Sequence, residues 1–253
     1  MSRRPFICGN WKMHTGRREA VELAREVAGG LDSVRDVDVA VAPPHPWLVE
    51  VARALEGGSV RVSAQNCHNE EKGAFTGEVS TAMLKEAGCS YVIVGHSERR
   101  AQFGEDDIFV GRKVRSVLAA GLSPILCVGE TLEEREAGRT VDVVERQVKG
   151  GLADVDQVKL PTVTIAYEPV WAIGTGKTAT PGQAQEVHLA IRDLLRSIGG
   201  NDAAGAMRIQ YGGSVKADNA ANLLSQPDVD GALVGGASLA AESFIAIVRA
   251  AAG

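Results

Sequence analysis

The segment Tyr167-Glu168-Pro169-Val170-Trp171-Ala172-Ile173-Gly174-Thr175-Gly176-Lys177 places one carboxylate at the end of an apolar run, residues 163–166. A carboxylate beside apolar groups is poorly hydrated, so its basicity rises toward what a general base needs. Pro169 holds Glu168 out of helical geometry. A loop stiff at its start and carrying glycines at its far end has the composition of a lid. Other residues able to do chemistry also follow apolar runs. Asn10-Trp11-Lys12 offers an amide and an ammonium that could hold an anion. Gly95-His96-Ser97-Glu98-Arg99-Arg100 presents an imidazole directly after Val92-Ile93-Val94. Gly212-Gly213-Ser214 and Gly235-Gly236 are glycine pairs of the kind that lets backbone N–H groups approach a phosphate.

Two familiar motifs fail on spacing. Gly174-Thr175-Gly176-Lys177-Thr178 imitates a nucleotide P-loop, but the glycine required at position 171 is Trp171. The segment around Ser97 imitates a serine-hydrolase elbow, but Arg99 stands at its second glycine. His14, His45, His68 and His188 lack metal-ligand spacing, so no metal site is expected.

Something must bring these scattered groups together. Short β-rich runs recur roughly every 30 residues, the length of a strand–helix unit. They cover residues 6–9, 37–42, 60–64, 91–94, 124–128, 163–167, 208–211 and 231–234. Helical periodicity lies between them. Ala20, Leu23, Ala24 and Val27 share a face in 17–28. Val110, Val114, Val117 and Leu118 do so in 108–120, and Val187, Ala190, Ile191 and Leu194 in 183–198. Pro181 and Gly199 mark the ends of the last of these helices. Runs that are apolar throughout suit parallel strands covered on both sides. Eight such units in 253 residues predict a (β/α)8 barrel, one domain over 1–253. An open doubly wound sheet competes, but no G-x-G-x-x-G follows the first strand. In the barrel, catalytic groups belong at the C-terminal strand ends, and phosphate belongs with the loops after strands seven and eight.

The totals narrow the partners. A formal charge of -5 without like-charge blocks favours neither nucleic acid nor an anionic membrane. There is no signal-peptide core and no apolar run near 18 residues. Cys8, Cys67, Cys89 and Cys127 are widely spaced and read as buried hydrophobes rather than a disulfide framework. The expectation is a soluble, cytoplasmic protein in a reducing compartment.

The motifs, in this order, resemble the triosephosphate isomerase family along nearly the whole chain. They are Gly9-Asn10-Trp11-Lys12, Ala64-Gln65-Asn66 with Gly73-Ala74-Phe75-Thr76-Gly77-Glu78, the segment from Gly95 to Arg100, that from Tyr167 to Gly176, Tyr211-Gly212-Gly213-Ser214-Val215, and Val234-Gly235-Gly236-Ala237. The resemblance implies a TIM barrel that interconverts dihydroxyacetone phosphate and glyceraldehyde 3-phosphate, in glycolysis and gluconeogenesis, without cofactor or metal. It implies Glu168 as the base and His96 as the neutral electrophile. Lys12 and Asn10 would hold substrate oxygens, and Gly174, Ser214, Gly235 and Gly236 the phosphate. Glu98 would support them from behind. A homodimer is also implied, with the loop around Thr76 inserted into a partner subunit; Cys67 and Asn69 are where the preceding segment varies. Burial should raise the Glu168 pKa, and the Lys12 charge should oppose that rise. Two rivals stand beside this reading. One is another phosphate-binding barrel enzyme, such as a sugar-phosphate epimerase or aldolase. The other is a non-catalytic phosphate binder on the same fold.

Overall fold

Eight parallel strands pair in chain order, and the last returns to the first. They are β1 (Phe6–Asn10), β2 (Asp38–Ala42), β3 (Val60–Ala64), β4 (Tyr91–Val94), β5 (Ser123–Val128), β6 (Thr164–Tyr167), β7 (Arg208–Tyr211) and β8 (Gly231–Val234). This computed structural model describes residues 3–175 and 177–252. The expected (β/α)8 barrel is what the chain forms. Four strand ends move by one residue: β1 runs on to Asn10, β5 starts at Ser123, and β2 and β6 start one residue late.

The all-apolar strands have a simple cause, because both of their faces are buried. Phe6, Cys8, Ala40, Ala42, Ile93, Ile125, Cys127, Ala166 and Leu233 point inward and form their own core. Their neighbours Ile7, Val39, Val41, Val92, Val94, Leu126 and Ile165 point outward, into a larger core shared with the helices. All four cysteines are free and buried, so none forms a disulfide.

The helices covering the outer core are α1 (Arg17–Gly30), α2 (Leu48–Ala54), α3 (Thr81–Glu86), α4 (Ser97–Phe103), α5 (Asp107–Ala119), α6 (Leu132–Glu136), α7 (Thr140–Gly151), α8 (Pro181–Ala206), α9 (Ala220–Leu224) and α10 (Ala241–Ala251). The predicted faces of α1 and α5 are buried as expected. In α8 the outcome differs. Thr180 and Gln183 close a reciprocal cap ahead of Pro181. The chain breaks at Gly200 (φ 79°), one residue past the expected end, and then resumes helical turns to Ala206. The buried stripe is also rotated. Val187 and Ile191 are buried, but His188, Arg192 and Leu195 join them in place of Ala190 and Leu194. A periodicity count treats Arg192 as a surface residue. Here its guanidinium donates to the carbonyls of Ala204 (2.7 Å) and Met207 (2.6 Å) and pairs with Asp228 and Asp230. Burial is tolerated because the donors are met.

His188 supplies a pH test. It is fully buried, its Nδ1 lies 3.1 Å from the Asp228 carbonyl, and its Nε2 finds no partner among the described residues. Burial pushes its pKa down from 6.5 to about 4. The folded form therefore resists a proton that the unfolded chain accepts. Its stabilising contribution is complete above pH 6.5 and is lost as pH falls toward 4. Thermal unfolding midpoints of His188→Gln, relative to the parent, should rise across that window. A constant difference would remove His188 as the cause.

Candidate active site

β6 ends at Tyr167, and Pro169 prevents the strand from continuing. Glu168 is left between them at the barrel mouth. Its backbone N–H donates to the Val128 carbonyl at 2.7 Å, and it is only 2% exposed. Its carboxylate is fully engaged. Oε2 accepts the Ser97 backbone N–H at 2.9 Å, and Oε1 lies 2.9 Å from His96 Nε2.

β4 delivers His96. The imidazole is itself the N-cap of α4, because Nδ1 accepts the Glu98 backbone N–H at 3.3 Å. Ser97 is the first residue of α4, and its backbone N–H goes to Glu168. An Nδ1 that accepts leaves the proton of the neutral ring on Nε2, where it points at Glu168.

The electrostatics follow from these contacts. Burial pushes the Glu168 carboxyl up, but the His96 ring, the Ser97 N–H and the Cys127 thiol pull it down and prevail, leaving its pKa below the usual carboxylate range. The opposing influence comes from His96 and its neighbours, rather than from Lys12 as expected. Burial, the largest single influence, disfavours the His96 imidazolium, but the Glu168 charge and hydrogen bond together with the Glu98 charge outweigh it and raise the ring's pKa.

β1 delivers Asn10 and Lys12. Lys12 has a left-handed backbone (φ 50°), a costly conformation for a non-glycine residue. Two side chains hold it there. Asn10 Oδ1 accepts the Lys12 N–H at 3.0 Å, and Gln65 Nε2 donates to the carbonyls of Lys12 and Ala42, both at 2.8 Å. The Lys12 ammonium donates to Glu98 Oε1 at 2.7 Å.

A cavity of about 660 Å³ brings Asn10, Lys12, His96 and Glu168 together with Gly174, Ser214, Gly235 and Gly236. Glu98 borders the adjoining cavity, which also reaches Asn10, Lys12 and His96. Gly236 has open space where a Cβ would project, and Gly235 faces the Lys12 stem. On the loop after β7, Asn219 donates to the Ser214 carbonyl at 3.1 Å. Every expected site residue thus lies in or beside one opening at the C-terminal strand ends.

Glu130, after β5, is a site neighbour that strand-end inspection omitted. It is fully buried and accepts from Tyr167 OH (3.1 Å), Trp171 Nε1 (2.9 Å) and Arg135 (3.0 Å). It ties down the near end of the loop that follows Glu168. At the far end Gly174 has φ 69°, a conformation that favours glycine. Gly176 lies outside the described residues. Applying the strand-end rule to all eight strands would have flagged Glu130, as Gly129-Glu130 directly follows an apolar run. Among the described residues, no group of His, Cys, Asp and Glu could hold a metal, and no helix is long and apolar enough to cross a membrane.

A closed parallel barrel with a carboxylate, an imidazole and an ammonium converging on a glycine-lined cavity defines a class, the (β/α)8 enzymes of acid–base chemistry. The family model described as triosephosphate isomerase matches residues 5–251. Triosephosphate isomerase of Syntrophotalea carbinolica is 59% identical over 247 residues, covering 98% of each chain. That of Carboxydothermus hydrogenoformans is 58% identical, with the same coverage. The crystal structure of triosephosphate isomerase from Bartonella henselae superposes with a TM-score of 0.90 at 42% identity, covering 98% of both chains. The chain belongs to the triosephosphate isomerase family.

Proposed function

We propose that this cavity interconverts dihydroxyacetone phosphate and D-glyceraldehyde 3-phosphate in glycolysis and gluconeogenesis. One observation carries the reading: a buried carboxylate and the Nε2 of an imidazole whose Nδ1 accepts a backbone N–H meet at 2.9 Å beside the glycine loops. Glu168 removes a proton from C1 of the ketose. The electron pair forms the C1–C2 double bond and places charge on O2. His96 Nε2–H and the Lys12 ammonium face that oxyanion. The O1 proton passes to O2, C1–O1 becomes the carbonyl, and Glu168 returns its proton at C2. Asn10 orients the oxygens, and Gly174, Ser214, Gly235 and Gly236 hold the phosphate through N–H and O–H donors.

The parked carboxylate adds a constraint. Both of its oxygens are occupied, so substrate must draw Glu168 away from His96 and Ser97 before proton transfer. That departure removes the larger of the two charges favouring an imidazolium. The Glu98 carboxylate remains, opposed by burial, by the Lys12 charge and by the Glu98 N–H on Nδ1, and burial as the largest of these favours the neutral ring. Freeing the base and readying the electrophile are one movement.

Purified protein in deuterated water should convert either triose phosphate and incorporate solvent deuterium on carbon. Binding without exchange would sink the proposal in favour of a passive phosphate binder. Loss of activity in chelator would favour a metal-dependent barrel enzyme.

The same reading makes the chain 1–253 one domain and a cytoplasmic homodimer. Four free, buried cysteines suit a reducing compartment. Phe75 on the loop around Thr76 and Met13 beside the site are both exposed apolar side chains that a partner would cover. Size-exclusion chromatography checks this, and a monomer at micromolar concentration would contradict it.

A further inference from the structure

Glu168 belongs to no strand or helix, yet a base must hold its position closely. Its backbone rests on Gly129. A Cβ built on Gly129 would lie 1.7 Å from the Glu168 carbonyl oxygen, so only glycine fits between the two segments. The hydrogen bonds from Glu168 N–H to Val128 and from Val170 N–H to Glu130 (3.1 Å) bracket that contact. Gly129 therefore sets where the backbone of the base lies.

Gly129 is in turn gripped by one side chain. Gln147, on the core face of α7 and 6% exposed, accepts the Gly129 N–H through Oε1 at 2.6 Å. Its Nε2 donates to the Gly129 carbonyl at 3.2 Å. A primary amide places a donor beside an acceptor, so it completes both backbone groups of one residue as a paired strand would. Packing alone does not fix this place. A cavity of about 210 Å³ opens there, bordered by Gly129, Gln147, Glu168 and Val170.

We propose that Gln147 is a positioning residue for the isomerisation: its amide clamps Gly129 and so fixes the backbone from which Glu168 swings onto substrate. The proposal rests on Glu168 being the base. Gln147 touches no substrate, so its loss should fall on kcat rather than on phosphate binding.

Two near-isosteric variants test it. Gln147→Met removes both hydrogen bonds and should lower kcat by about 10- to 100-fold, the scale of a misplaced reacting group, with KM changed less than about 2-fold. Gln147→Glu lacks the donor when ionised and regains it when protonated. Its kcat relative to the parent should therefore climb as pH falls through the new carboxyl's pKa. Hydrogen exchange of the peptides holding Gly129 and Glu168 should be faster in Gln147→Met, a readout that needs no turnover. A Met variant keeping kcat within about 2-fold, or losing activity only in proportion to unfolded protein, would overturn the clamp, and so would a flat pH ratio in the Glu variant, which decides the matter if Met does not fold. A parent without isomerase turnover would refute the functional reading instead, while unchanged exchange in the variant would still refute the clamp.

Discussion

Glu168→Gln lowers kcat by about 1,000-fold or more while leaving the fold and phosphate affinity nearly unchanged. The amide matches the carboxylate in shape and still accepts one of the two N–H bonds now made by Ser97 and His96. It cannot take a proton from carbon. The phosphate-side residues Ser214, Gly235 and Gly236 come from other loops, so KM should move only a few-fold. Steady-state kinetics beside circular dichroism decide the matter, and a folded variant retaining most of its rate would remove Glu168 as the base. The depressed pKa of this carboxyl adds a pH expectation. The free enzyme keeps its base ionised through neutral pH. Its contribution to kcat/KM is lost only as pH falls through that depressed value. The substrate phosphate titrates separately near pH ~6 and must be divided out first.

His96→Gln carries the second large effect, a fall in kcat of about 100-fold or more, the usual result of removing one oxyanion donor. Gln can still accept the Glu98 N–H and complete the α4 cap, so the helix should persist. Its amide has neither the rigid placement of a ring N–H nor the ability to pass a proton between neighbouring oxygens. Kinetics in both directions check this, and a kcat within a few-fold of the parent would end the electrophile role.

Much of the fold was readable in the chain. The eight apolar runs, the apolar faces of α1 and α5, and the start of α8 at Pro181 are local patterns, spread over a few residues each. A strand buried on both faces has to be apolar throughout, and that shows without knowing its neighbours. The site residues were legible for a related reason. In a parallel barrel every strand ends on the same rim, so a Glu, a His, a Lys and two glycine pairs that each follow a strand must converge. Chain order plus that single rule places Lys12, His96, Glu168 and Gly235 around one opening.

Other features were invisible because they depend on distance through space. Ser97 and Glu168 are 71 residues apart in sequence, and nothing local says that the N–H of one meets the carboxylate of the other. Lys12 was expected to oppose the rise in the Glu168 pKa; instead its ammonium pairs with Glu98, 86 residues away. The burial of Arg192 has no sequence signal, because periodicity cannot count the carbonyls and carboxylates that receive its donors. Gln147 carries no motif, since its role comes from the two backbone groups of Gly129 that face it. The amino-acid order was enough to settle which groups crowd the barrel mouth. Only the folded arrangement decided the charge state of the base, the ring nitrogen that carries the proton, and what holds each group in place. Those are set by hydrogen bonds and Coulomb interactions in a dry interior, where a displacement of an ångström changes the balance.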